Sequence, residues 1–78
     1  MMTPAQSRAA RGLIEWSQSE LASRSNLGLS TIRNFEKGRR VPTINNLAAI
    51  QQALESAGIV FIPENGEGPG VRLRKSVR

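Results

Sequence analysis

The sequence predicts an all-α fold: a compact bundle of four helices followed by a small C-terminal β-hairpin. Three observations carry that expectation. Hydroxyl residues suited to capping, Thr3, Ser17 and Thr43, stand before three of the four helical stretches. Apolar residues recur at helical spacing within those stretches. At Ile59 the pattern changes to a β-branched and aromatic run of strand length. The 78 residues allow one domain, and 38% hydrophobic residues with 7 glycines is an ordinary globular share.

Each element has its own local reason. Thr3-Pro4-Ala5-Gln6 supplies a cap, a proline at the first helical position and a glutamine that completes a capping box. A first helix is expected from there to about Ile14 or Glu15, with Ala9, Ala10, Leu13 and Ile14 facing inward. Gly12 weakens it by about 1 kcal/mol relative to alanine. Ser17-Gln18-Ser19-Glu20 reads as a second capping box, with Trp16 and Leu21 placed as a hydrophobic staple. This second helix is short, about 18–24, and Asn26 is the expected left-handed turning point.

A third helix is expected over about Leu29 to Lys37, with Leu29, Ile32, Phe35 and Glu36 on one side and Gly38 as its stop. Gly28 is a weaker start than serine or threonine by a few tenths of a kcal/mol. Thr43 caps a fourth helix over 44–57, carrying Leu47, Ile50, Ala53 and Leu54. Ile59-Val60-Phe61-Ile62 and Val71-Arg72-Leu73-Arg74 are expected to pair across a loop rich in glycine and proline. That loop, Glu64-Asn65-Gly66-Glu67-Gly68-Pro69-Gly70, is only a weak phosphate-loop candidate. No Lys-Ser/Thr follows it, and a strand rather than a helix comes next.

Composition narrows the chemistry. Histidine, cysteine, aspartate and tyrosine are absent. No disulfide can form, zinc sites of the common kinds are not expected, and acid–base catalysis would fall to six glutamates. Helix caps, helix surfaces and an ion pair account better for most of these. The chain therefore reads as a binding protein, not an enzyme, with no cofactor and no metal.

The net charge is +5, which suggests nucleic acid or an anionic surface as partner. Arg33, Lys37, Arg39 and Arg40 stand against Glu36 alone, a net +3 within eight residues. Arg72, Arg74, Lys75 and Arg78 make a basic tail. No apolar run approaches the roughly 20 residues of a membrane span. The N-terminus lacks a signal-peptide pattern, so a cytoplasmic location is expected.

Two short helices joined by a tight turn, the second followed by a basic loop, form a helix-turn-helix arrangement. Counting Gln18 as position one, Ala22 falls fifth, small enough for two helices to touch, and Asn26 falls ninth, at the turn. Leu21, Leu27, Ile32 and Phe35 fall at the apolar offsets that lock such a unit to a core. Trp16-Ser17-Gln18-Ser19-Glu20-Leu21-Ala22, Ser30-Thr31-Ile32 and Phe35-Glu36-Lys37-Gly38-Arg39-Arg40-Val41-Pro42 resemble the Cro/repressor (XRE-type) helix-turn-helix family. The resemblance spans about residues 5–58.

That resemblance implies a lambda-repressor-like bundle of four or five helices whose third helix enters the DNA major groove. The base-reading candidates are then Leu29, Ser30, Arg33 and Asn34. Arg33 suits guanine, Asn34 suits adenine, and Leu29 suits a thymine methyl. Gln18, Lys37, Arg39, Arg40, Thr43, Asn45 and Asn46 are the phosphate-binding candidates. Arg11 and Glu36 match two family positions that form a structural ion pair.

The implied function is sequence-specific binding of double-stranded DNA by a transcriptional regulator, in particular a repressor at a palindromic operator. Two rival readings are an antitoxin that represses its own operon and neutralises a toxin protein, and a protein-interaction module without DNA binding. An RNA binder fits less well, because basic strands with exposed aromatics are missing.

Residues 1–58 form the expected DNA-binding domain and 59–78 a β extension. Four consecutive apolar residues cannot all face one bundle, since alternate strand side chains point oppositely. Ile59, Val60, Phe61, Ile62, Val71 and Leu73 are therefore expected to make a homodimer.

Overall fold

The computed structural model describes residues 2–75 as four helices and one two-stranded antiparallel sheet. The Arg78 end of the basic tail lies outside the described residues. Helix α1 (Pro4–Ile14) begins with the expected reciprocal cap: Gln6 N–H donates to Thr3 Oγ1, and Thr3 N–H donates to Gln6 Oε1. It stops where Glu15 turns left-handed at φ 59°.

Helix α2 (Gln18–Ser25) shows half of the expected second box. Ser17 Oγ accepts from Glu20 N–H at 3.0 Å. The Glu20 carboxylate turns instead to Arg24, one turn on, at 2.6 Å. A charged partner four residues away competes well with a backbone amide. Arg24 also lies 5.1 Å from the centre of the Trp16 ring. The helix runs one residue longer than expected, to Ser25, which is buried with its hydroxyl donating to Leu21 O at 2.7 Å.

Asn26 takes the left-handed turn at φ 60°. Helix α3 (Leu29–Glu36) then starts at Gly28 with no side-chain cap. Helix α4 (Ile44–Ser56) is capped by Thr43, whose Oγ1 accepts from Asn46 N–H at 3.1 Å. Both end one residue short of the expected limit, at turns completed by Gly38 and Gly58 with φ of 74° and 106°.

Strands β1 (Ile59–Ile62) and β2 (Gly70–Leu73) pair with Ile59 opposite Leu73 and Phe61 opposite Val71. β2 starts one residue before the expected position. The ladder still continues to Arg74, whose N–H donates to Gly58 O at 2.6 Å. In the connecting loop Glu64 Oε2 accepts from the amides of Gly66 and Gly68, at 2.9 and 3.0 Å. The loop thus turns its amides onto its own carboxylate, as a hairpin connection rather than a phosphate cradle.

Leu21, Ile32, Ile50 and Leu54 are fully enclosed, with Ala10, Ala22, Phe35, Leu47 and Ile59 around them. β2 lies against α1 and β1 against α4. One expectation fails on α1. Ala9 and Leu13 are exposed, while Gln6 and Ser7 are buried beside Ala10. Polar groups can hold those positions because each finds partners. Gln6 Nε2 donates to Ile62 O at 3.2 Å and Gly70 O at 2.8 Å, fastening the hairpin to α1.

The hairpin folds back on its own subunit. Ile59 is buried, and Phe61 and Val71 pack against the core. Val60 and Ile62 fall on the other face with Arg72, by strand alternation, and are half-buried. Leu73 is 49% exposed. Among the described residues, no helix is long and apolar enough to cross a membrane.

Candidate nucleic-acid interface

A single carboxylate sets the relative positions of the first three helices. Glu36, at the end of α3, accepts from Arg11 Nη2 at 2.7 Å and Arg11 Nε at 2.9 Å. It also accepts from Ser7 Oγ at 2.5 Å and Gln18 Nε2 at 3.1 Å. Arg11 Nη1 reaches on to Trp16 O at 3.0 Å, and Arg8 donates to the Glu36 carbonyl. Burial pushes the Glu36 carboxyl up. Hydrogen bonds from Arg11, Ser7 and Gln18, with the Arg11 charge, outweigh this and hold it below the usual carboxylate range.

Gln18, expected near a phosphate, thus has its side-chain nitrogen committed to Glu36. It braces the start of α2 against the end of α3. Ser7 and Arg8 were missed in the sequence. Their signal is weak: three polar residues, Ser7, Arg8 and Arg11, within about one turn of a helix otherwise expected to face inward.

Ser30 and Arg33 on α3 are exposed, and Asn34 is half-buried. Leu29 is half-buried and packs against the core, which leaves only part of its side chain outward. The basic loop is pinned directly to this helix. Asn34 O accepts from Arg39 N–H at 2.9 Å and Arg40 N–H at 3.3 Å. Lys37, Arg39 and Arg40 are exposed, as are Thr43 and Asn45 at the start of α4.

Among the described residues the ion pairs are Arg11 with Glu36 and Arg24 with Glu20. The charges of Arg33, Lys37, Arg39 and Arg40 therefore remain available to a partner.

The return of the loop creates an open groove of about 390 Å³ between α3 and the start of α4. Ser30, Thr31 and Asn34 line one side, and Arg40, Val41, Pro42, Thr43 and Asn46 the other. The structure therefore brings together two base-reading candidates, Ser30 and Asn34, with three phosphate-binding candidates, Arg40, Thr43 and Asn46. Arg33, Lys37, Arg39 and Asn45 are exposed outside that groove. Thr31, Val41 and Pro42 line the groove without having been site candidates in the sequence.

Two short helices meeting at a left-handed asparagine, the second with one exposed face and followed by a basic loop, make the helix-turn-helix arrangement of a DNA-binding domain. Comparison with known families agrees: the helix-turn-helix family model matches residues 8–57. The chain belongs to the Cro/repressor (XRE-type) helix-turn-helix family and is a DNA-binding regulator of that type, a family of regulators rather than enzymes. No curated protein matches the chain.

Proposed function

We propose that this chain is a transcriptional repressor that binds a palindromic operator as a homodimer. The observation that carries the reading is the groove joining Ser30 and Asn34 to Arg40, Thr43 and Asn46. A duplex seated there meets base-reading and phosphate-gripping groups at once. α3 lies along the major groove, with Ser30, Arg33 and Asn34 toward base edges and Leu29 offering its exposed part to a thymine methyl. Lys37, Arg39, Arg40, Thr43, Asn45 and Asn46 hold phosphates, and Gln18 steadies the approach from α2.

The dimer contact is assigned to the hairpin. With Ile59, Phe61 and Val71 turned to the subunit's own core, Val60 and Ile62 supply the apolar surface of the outer face, and Leu73, opposite Ile59, adds an exposed apolar end to the inner one. The open strand edges also suit pairing with a second copy. A repressor of this kind acts in the cytoplasm.

The salt dependence of duplex binding tests this function. Tight binding with a steep negative slope of log K against log salt is expected. Arg39→Ala and Arg40→Ala should each reduce that slope by about one unit. A chain without measurable affinity for any duplex would point to an interaction module instead.

A further inference from the structure

Val41 and Ile44 are the most exposed large apolar side chains among the described residues, at 84% and 77%. They flank Pro42 and Thr43 at the entry to α4, and neither belongs to the core. Folding therefore does not explain them. Val41 lines the groove that also holds Arg40 and Asn34.

The surroundings discriminate between occupants. Arg39 and Arg40 precede Val41 and are exposed. The nearest acid in sequence, Glu36, is buried and paired with Arg11. A second copy docked on this patch about a two-fold axis would set the same basic loop against itself. A polyanion removes that repulsion. Duplex DNA also carries apolar surface beside its charge, because each deoxyribose presents C–H faces between successive phosphates.

We propose that Val41 and Ile44 pack on deoxyribose faces of the DNA backbone, on either side of the phosphate gripped by Arg40 and Thr43. This rests on the DNA-binding reading above and adds a second kind of contact to it. Arginine contacts weaken as salt rises, since they work by releasing counterions. Burial of two apolar side chains against sugar contributes affinity that salt does not screen. It also fixes how deeply the loop sits on the strand without reading sequence.

The full-length variants Val41→Ser and Ile44→Ser test the inference against the unmodified chain and Arg40→Ala. Binding to one duplex is measured across a salt series, with melting and sedimentation of each protein. Each serine variant should melt like the parent and keep its oligomeric state. Each should bind roughly three- to tenfold more weakly at every salt concentration, with the slope unchanged. Arg40→Ala should weaken binding and flatten the slope.

Parental affinity in both serine variants, with Arg40→Ala still weakened, would overturn the sugar contact and leave the DNA reading intact. Loss of a dimer in either serine variant would reassign the patch to protein association. An Arg40→Ala variant that binds like the parent would instead remove the DNA interface on which the inference rests.

Discussion

The Arg11 guanidinium clasps the Glu36 carboxylate from two of its nitrogens, Nη2 at 2.7 Å and Nε at 2.9 Å, joining α1 to the end of α3. The two partners are unequally buried: the Glu36 side chain is 1% exposed and that of Arg11 18%. Helix α3 is thereby held at its C-terminal end, while its start at Gly28 has no side-chain cap.

Loss of this clasp should cost more than loss of a surface acid. Glu36→Ala strands Arg11, Ser7 and Gln18 without their acceptor. Removing one partner of a fully buried pair costs about 3–5 kcal/mol, and less where one partner reaches solvent. Glu55 is exposed, and its side chain accepts from Gln51 at 3.1 Å and from no other side chain among the described residues. Thermal melting should rank Glu36→Ala well below Glu55→Ala. Equal melting temperatures would contradict the structural role of the pair.

The same carboxylate makes stability depend on acid. Its folded-state pKa lies below its unfolded value, so the folded state holds the ionised form more strongly. The contribution is fully present above the unfolded value, about 4.3, and is lost as pH falls through the folded value. Denaturant titrations at decreasing pH should show stability dropping below that range. Glu36→Gln should be less stable near neutrality and show a shallower acid loss. An identical acid profile in both proteins would assign the loss to other groups.

Gly12 offers a change in the opposite direction. It lies inside α1, and a Cβ added there would meet nothing within 4 Å. Gly12→Ala should therefore stabilise the chain by about 1 kcal/mol. The melting temperature should rise and duplex affinity should stay the same. A destabilised variant would mean that α1 needs flexibility at this point.

Ile62→Lys tests the assigned dimer surface. Ile62 is half-buried on the hairpin face turned from the core, so a lysine there can reach solvent in a single subunit but not under a partner. Sedimentation should show a dimer for the parent and a monomer for the variant, with operator affinity reduced. A monomeric parent, or a dimer that tolerates the lysine, would remove the hairpin from the interface.

Local signals carried most of the fold. Thr3, Ser17 and Thr43 cap their helices and Asn26 makes the turn, because caps and turns act within three or four residues, and the strand pair forms within one residue of the expected positions. The burial of Gln6 and Ser7 was illegible for the opposite reason. Their partners lie far along the chain, Gly70 at a separation of 64 residues and Glu36 at 29. A buried polar side chain is recognisable only once its acceptor is in place.

The half-formed box at Ser17 had a visible competitor in Arg24, four residues beyond Glu20. In the candidate site, α3 and its basic loop were readable from spacing. The groove was not, since it depends on Asn34 O receiving the Arg39 and Arg40 amides.

Selection of binding sites from random duplex DNA, run with the parent and with Arg33→Ala, tests the central claim most directly. Arg33 is exposed on α3 and takes part in no ion pair among the described residues. The parent should enrich a two-fold symmetric site with half-sites about one helical turn apart. Arg33→Ala should enrich the same site with the preference lost at one base pair in each half, a discrimination of about 1–3 kcal/mol. An unchanged preference at every position in the Arg33→Ala pool would contradict the placement of α3 in the major groove.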